Sequence, residues 1–137
     1  MAAHRWALDS SPVTTVACGP DGRERRFDLR LATVPALVVT KTHALVGRRA
    51  GKEGKLGSDL LDLVLLLERF DHDAAVSAEL AAAPYGLLGL ARELLGALLA
   101  DEQQLTRAVG LAGRASGGTS VNVERVHDAF RHLLGRW

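Results

Sequence analysis

The chain has 137 residues, 47% apolar and 24% charged, with a net charge of +1 and a mean hydropathy of +0.07. That length suits one domain with a packed core, and the composition excludes global disorder. So small a net charge gives no whole-chain electrostatic case for nucleic acid, although a local basic patch stays open, and the single Cys18 excludes an intrachain disulfide and fits a reducing compartment.

The opening residues, MAAHRWALDSSP, lack the apolar segment of a secretory leader. The longest apolar run, around Leu63–Leu67, is about seven residues, against the roughly 20 that a bilayer span needs. These features predict a soluble cytoplasmic protein with no membrane partner. Val13–Cys18 reads as a strand, with Cys18 a small core residue. Gly19–Gly22, GPDG, reads as a turn, because Pro presets φ and Gly accepts positive φ. RRFDLRLATV then alternates: Phe27, Leu29 and Leu31 face one way, Arg26, Asp28 and Arg30 the other. The result is a β-hairpin with one wet face. A hairpin alone is marginal in water, so it is expected to pack on helices or to belong to a larger sheet.

Thr33 with Pro35 starts a helix that runs to about Arg49. Residues 50–57, with three glycines, read as a loop, and Ser58 as the cap of a helix through Phe70. DHDAAVSAELAAA predicts another helix, stopped by Pro84, and YGLLGLARELLGALLA the next. Gly86, Gly89 and Gly96 lower the intrinsic stability of that segment by about 1 kcal/mol each relative to Ala, which implies tight packing there. Asp101 caps a helix ending near Gly113. ASGGTS is a break, and VNVERVHDAFRHLLGRW closes the chain as an amphipathic helix. Its stripe of Val123, Val126, Phe130, Leu133 and Leu134 closes the core or else forms a homodimer contact. The fold expected is α+β, mostly helical: a single domain 1–137, with a β-hairpin element (1–34), a charged helix pair (35–71) and a helical bundle (72–137), about five helices in all.

Charges interrupt the greasy pattern of the helix pair. At about 100° per residue, with Leu37 at zero, Lys41 lies near 40° and Arg48 near 20°, inside the Leu37–Ala44–Leu45 stripe. On the next helix Leu63, Leu66 and Phe70 lie within about 40° of Asp59, and Asp62 falls between Leu65 and Leu66. Burying an unpaired charge costs several kcal/mol. The simplest resolution is mutual: Lys41 and Arg48 meet Asp59 and Asp62 as the helices pack. The competing reading leaves Asp59 as a first-turn carboxylate favoured by the helix dipole and lets Lys41 and Arg48 snorkel to water.

LATVPALVVTKTHALVGRR followed by GSDLLDLVLLL resembles the C-terminal portion of abortive-infection (AbiEii-type) nucleotidyltransferases, which serve as toxins in bacterial toxin–antitoxin pairs. The resemblance covers residues 7–70. It implies that Lys41, Asp59 and Asp62 are catalytic, and that Arg48, Arg49, Lys52 and Lys55 bind nucleotide or phosphate. HRWALDSS resembles the end of a strand that carries a third acidic residue, which makes Asp9 a candidate metal ligand. The hairpin would be the remnant of a nucleotidyltransferase sheet. Implied partners are a nucleoside triphosphate and RNA, with tRNA the expected acceptor, together with an antitoxin or a separate catalytic chain. Two departures stand out. Ser58 occupies a position where the family has Lys or Arg, and residues 1–34 lack the upstream glycine turn and acidic pair that hold Mg²⁺ on the triphosphate. The resemblance thus implies an N-terminally truncated nucleotidyltransferase-superfamily protein, with Mg²⁺ bound only where a complete site is assembled. A non-catalytic helical interaction module or regulator is one alternative. A helical domain that binds RNA through the basic loop 47–55 is another.

GRRAGKEGK, Gly47–Lys55, misses the P-loop pattern, since Glu53 stands where Ser or Thr would follow the lysine. His4, His43, His72, His127 and His132 show no ligand spacing. Asp71–Asp73, DHD, reads as a helix junction or cap.

Overall fold

The computed structural model describes residues 2–20, 23–47, 53–117 and 120–135. Among them are seven α-helices and one two-stranded sheet: α1 (Ala2–Asp9), β1 (Val13–Cys18), β2 (Arg25–Arg30), α2 (Val34–Gly47), α3 (Glu53–Phe70), α4 (Ala75–Ala82), α5 (Leu87–Ala100), α6 (Glu102–Ala115) and α7 (Val123–Leu134). This is the expected α+β, mostly helical class, with seven α-helices among the described residues where about five were expected. No single helix among the described residues is long and apolar enough to cross a membrane.

The longest helix, α3, organises the core. Leu60, Leu63, Val64 and Leu67 recur at i, i+3, i+4 and i+7, the spacing of one helical face, and all four are buried. Around α3 pack α2, α6 and α7, contributing Val38, Val39 and Leu45, then Leu105, Ala108 and Ala112, then Val126, Phe130 and Leu133. Three residues of the closing helix's stripe, Val126, Phe130 and Leu133, are therefore spent on the chain's own core, while Val123 is 38% exposed. Within α2, buried Thr42 is satisfied because its hydroxyl donates to the Val38 carbonyl at 2.9 Å, and Thr33 starts the helix by accepting from Ala36 N at 3.4 Å.

Helix ends follow local chemistry. Asp101 caps α6 by accepting from Gln104 N at 2.9 Å, as expected, and Asn122 does the same for α7 at Arg125 N, 2.8 Å. Ala83 before Pro84 is extended (φ −70, ψ 149), which ends α4. The DHD junction is a cap of unusual reach. Asp71 Oδ1 accepts from Val76 N at 2.9 Å and Ser77 N at 3.3 Å, while Oδ2 accepts from the Ser77 hydroxyl at 3.4 Å.

Four sequence expectations are corrected. Residues 2–9 form a helix and not a strand end: Ala2, Ala3, Ala7 and Leu8 favour helix, Ala3 is buried, and the Ser10 hydroxyl closes the turn on the Trp6 carbonyl at 2.7 Å. The loop over 50–57 is too long and Ser58 is not a cap. The helix is already under way at Glu53, Leu56 packs on the core, and the Ser58 hydroxyl donates to the Lys55 carbonyl at 3.0 Å from inside the helix. Two of the three glycines expected at tight contacts are not there for packing: a β-carbon at Gly89 meets nothing within 4 Å, and Gly86 is used for its positive φ of 62° just before α5. Finally, the hairpin does not pack on the helices: nearly all of its residues are exposed, Cys18 included.

Candidate functional site

Lys41, in the middle of α2, and two carboxylates of α3 converge. Asp59 and Asp62 lie three residues apart and so share a helix flank. The Lys41 ammonium donates to Asp59 Oδ1 at 3.0 Å and to Asp62 Oδ2 at 2.6 Å. The three side chains differ in their access to water: Asp59 is 6% exposed, Lys41 31% and Asp62 47%. Asp59 is thus the buried anchor, and Asp62 is the rim group with an oxygen still open to solvent or ligand. Burial by itself would lower the Lys41 pKa, but the hydrogen bonds and charges of Asp62 and Asp59 outweigh it and hold the pKa above the ordinary lysine value. The ammonium is therefore charged throughout the neutral range. Stability from this contact is complete below the ordinary lysine value of 10.5 and is lost as pH rises through the higher folded value.

Beside this cluster lies a cleft of about 340 Å³ lined by Leu37, Lys41, Asp62, Leu65, Leu66, Arg69 and Phe70. One end carries Lys41 and Asp62, the walls are leucine, and the Arg69 guanidinium sits 5.7 Å from the centre of the Phe70 ring at the other end. Leu65 and Phe70 are 43% and 44% exposed, so the apolar surface is available. A concave apolar surface with a few convergent polar groups is the usual form of a small-molecule site. Arg69 escaped the sequence reading. The signal was present, because Asp62, Leu65, Leu66 and Arg69 follow i, i+3, i+4, i+7 and form one stripe.

Of the other expected site residues, Lys55 is exposed in the first turn of α3, while Arg48, Arg49 and Lys52 lie outside the described residues. Asp9 is not on a strand. It ends α1, 67% exposed and 3.9 Å from Arg5. The donor set beside Lys41 is ill suited to Mg²⁺, because a dication on Asp59 and Asp62 would sit against the ammonium that both carboxylates already hold.

Two further clefts are less suited to a polar ligand. One of about 360 Å³, lined by Gly96, Leu99, Ala100 and His127, has one polar side chain. One of about 160 Å³ contains Glu68, Asp71, His72, Asp128 and His132, but Asp71 is consumed as the α4 cap and the His132 ring Nδ1 lies 2.8 Å from the Asp71 carbonyl oxygen. Glu68 pairs with Arg125 through two hydrogen bonds of 2.6 and 2.7 Å, which join α3 to α7. No group of three or more His, Cys, Asp or Glu side chains among the described residues is arranged to hold a metal ion.

Compared with known protein families, curated proteins and solved structures, the chain matches none.

Proposed function

We propose that α2 and α3 form the nucleotide- or acceptor-binding wall of a nucleotidyltransferase-superfamily protein related to the toxins that modify RNA, with tRNA the expected acceptor. The observation that supports this reading is the Lys41–Asp59–Asp62 contact opening on an apolar cleft. Each part has a chemical use. Asp59 fixes the lysine in place. Lys41, kept charged, exchanges its contact with Asp62 for a phosphate oxygen of an incoming nucleoside triphosphate. Asp62, released to the rim, accepts from a ribose hydroxyl of the nucleotide or of the RNA end. The leucine walls and the Arg69–Phe70 pair take the base.

Transfer itself needs the Mg²⁺-holding acidic pair that residues 1–34 do not supply. The chain by itself is therefore expected to bind without transferring, and labelled-nucleotide incorporation into tRNA, abolished by Lys41→Ala, would overturn that expectation. Binding is tested by equilibrium dialysis of the full chain against each labelled nucleoside triphosphate and against a tRNA 3′ end. Lys41→Met and Asp62→Asn are each expected to weaken binding about tenfold or more, equivalent to roughly 1.4 kcal/mol. Asp62 is half exposed, so its variant keeps the fold if Lys41→Met does not. If neither ligand binds the unaltered chain, or both variants bind as it does, the cluster is a structural ion triad and the nucleotide reading fails.

A further inference from the structure

The apolar face of the hairpin is bare. Opposed residues on antiparallel strands share a face, so the register Val16↔Phe27 and Thr14↔Leu29 puts Val16, Phe27 and Leu29 together. Leu31 N donates to the Pro12 carbonyl at 3.2 Å and extends that face. These four apolar side chains are 37%, 50%, 46% and 46% exposed respectively, with Leu31 the last. Among the described residues no further strand pairs with either edge of the hairpin. Exposed strand edges with an apolar face are ready templates for further pairing.

We infer that the free edge of β2 joins two copies of this chain, antiparallel across a two-fold axis at Phe27, into one four-stranded sheet. The inference is independent of the nucleotide reading. Its support is the order of charges along the edge. The bond from Leu31 N to Pro12 places Leu31, Leu29 and Phe27 at the positions that bond to β1. The backbone groups of Arg26, Asp28 and Arg30 therefore point outward. Two copies can meet only in registers that set outward groups against outward groups. Centring on Asp28 would place Asp28 against itself and Arg26 against Arg30. Centring on Leu29 would run the pairing past the strand end at Arg30. Centring on Phe27 keeps 25–29 paired, sets each Arg26 opposite Asp28 of the second copy, sets Glu24 opposite Arg30, and stacks the two Phe27 rings at a non-hydrogen-bonded pair, where side chains approach most closely. The strand is charge-complementary to itself in that register, and the apolar face becomes continuous across the dyad.

Sedimentation velocity of the full chain over a concentration series tests this. A reversible dimer is expected. Arg26→Asp and Asp28→Arg, which each set like charges opposite, should weaken it roughly tenfold, and the double variant Arg26→Asp/Asp28→Arg should restore it. In a Cys18→Ser background, Phe27→Cys should oxidise to a covalent dimer, since only a residue on the axis meets itself, whereas Leu29→Cys should not. All these positions are exposed, so an unchanged helical far-UV spectrum controls for folding. A chain that stays monomeric at every concentration overturns the inference. So does a dimer indifferent to both single charge reversals, and failure of the double variant to restore the dimer rejects the register.

Discussion

Gly57→Ala is the sharpest test of how α3 is seated. In a free helix the change helps, since Ala is favoured over Gly by about 1 kcal/mol. At this position a β-carbon would lie 2.5 Å from the Leu111 carbonyl oxygen, 2.6 Å from Ala112 N and closer still to the Leu111 carbonyl carbon, where ordinary contact begins near 3.4 Å. All three are backbone atoms of α6 and cannot swing aside. The two helices must separate by close to 1 Å, and a gap of that size forfeits about a quarter to a half of each van der Waals contact it opens. The contacts at risk are those between α3 and α6, whose core residues include Leu60 and Val64 on α3 and Ala108 and Ala112 on α6, all fully buried. Overpacking of this kind costs typically 1–3 kcal/mol, so the net expectation is a loss of about 1–2 kcal/mol. For a chain this long that is roughly 3–8 °C in Tm. Urea and thermal denaturation followed by circular dichroism give the number. Gly89→Ala and Gly110→Ala are the controls, because a β-carbon at either meets nothing within 4 Å, and each should be neutral or stabilising by up to about 1 kcal/mol. If Gly57→Ala stabilises as the controls do, the close approach of α3 and α6 is wrong.

Three further outcomes are expected. Asp71→Ala removes the acceptor of Val76 N, Ser77 N and the Ser77 hydroxyl in a site where Asp71 is 3% exposed, so chemical denaturation should show a loss of about 2–3 kcal/mol from orphaned buried donors. Ala74 holds φ 60°, ψ 31° at the entrance to α4, a conformation costly for a residue with a β-carbon, and Ala74→Gly should stabilise by about 0.5–1 kcal/mol after the greater freedom of the unfolded glycine is allowed for. Glu68 has its pKa lowered by its hydrogen bonds to Arg125. Its contribution is therefore present above the ordinary value of 4.5 and lost as pH falls through the lower folded value. Glu68→Gln should be less stable than the unaltered chain by about 0.5–1 kcal/mol at neutral pH, with the difference vanishing in acid; a difference that persists below pH 3 would assign the effect to packing instead.

What the sequence made legible, and what it hid, follows from how far each signal reaches. Lys41 and the two aspartates were readable because a charge inside an apolar stripe is anomalous at any packing angle, and one solution, mutual neutralisation, answers both helices at once. Pro84 and Asp101 were readable because stops and caps act within a few residues. The glycines were misread because a glycine states only that a side chain is absent. Gly57, assigned to a loop, is the contact point of two helices, and Gly89, assigned to a contact, faces open space. The contact at Gly57 exists only because α6, about fifty places downstream, packs there, and among the described residues no element packs against Gly89. The hairpin shows the same limit in reverse. Alternation correctly assigned Phe27 and Leu29 to one face and Arg26 and Asp28 to the other, but a period of two says which face is apolar without saying what covers it. In the folded chain α3 and its neighbours close the core among themselves, so the face assigned to the interior stands in water. Local pattern therefore carried the hairpin, most of the helices and the charged cluster, and the pairing of distant surfaces decided which apolar residues were buried.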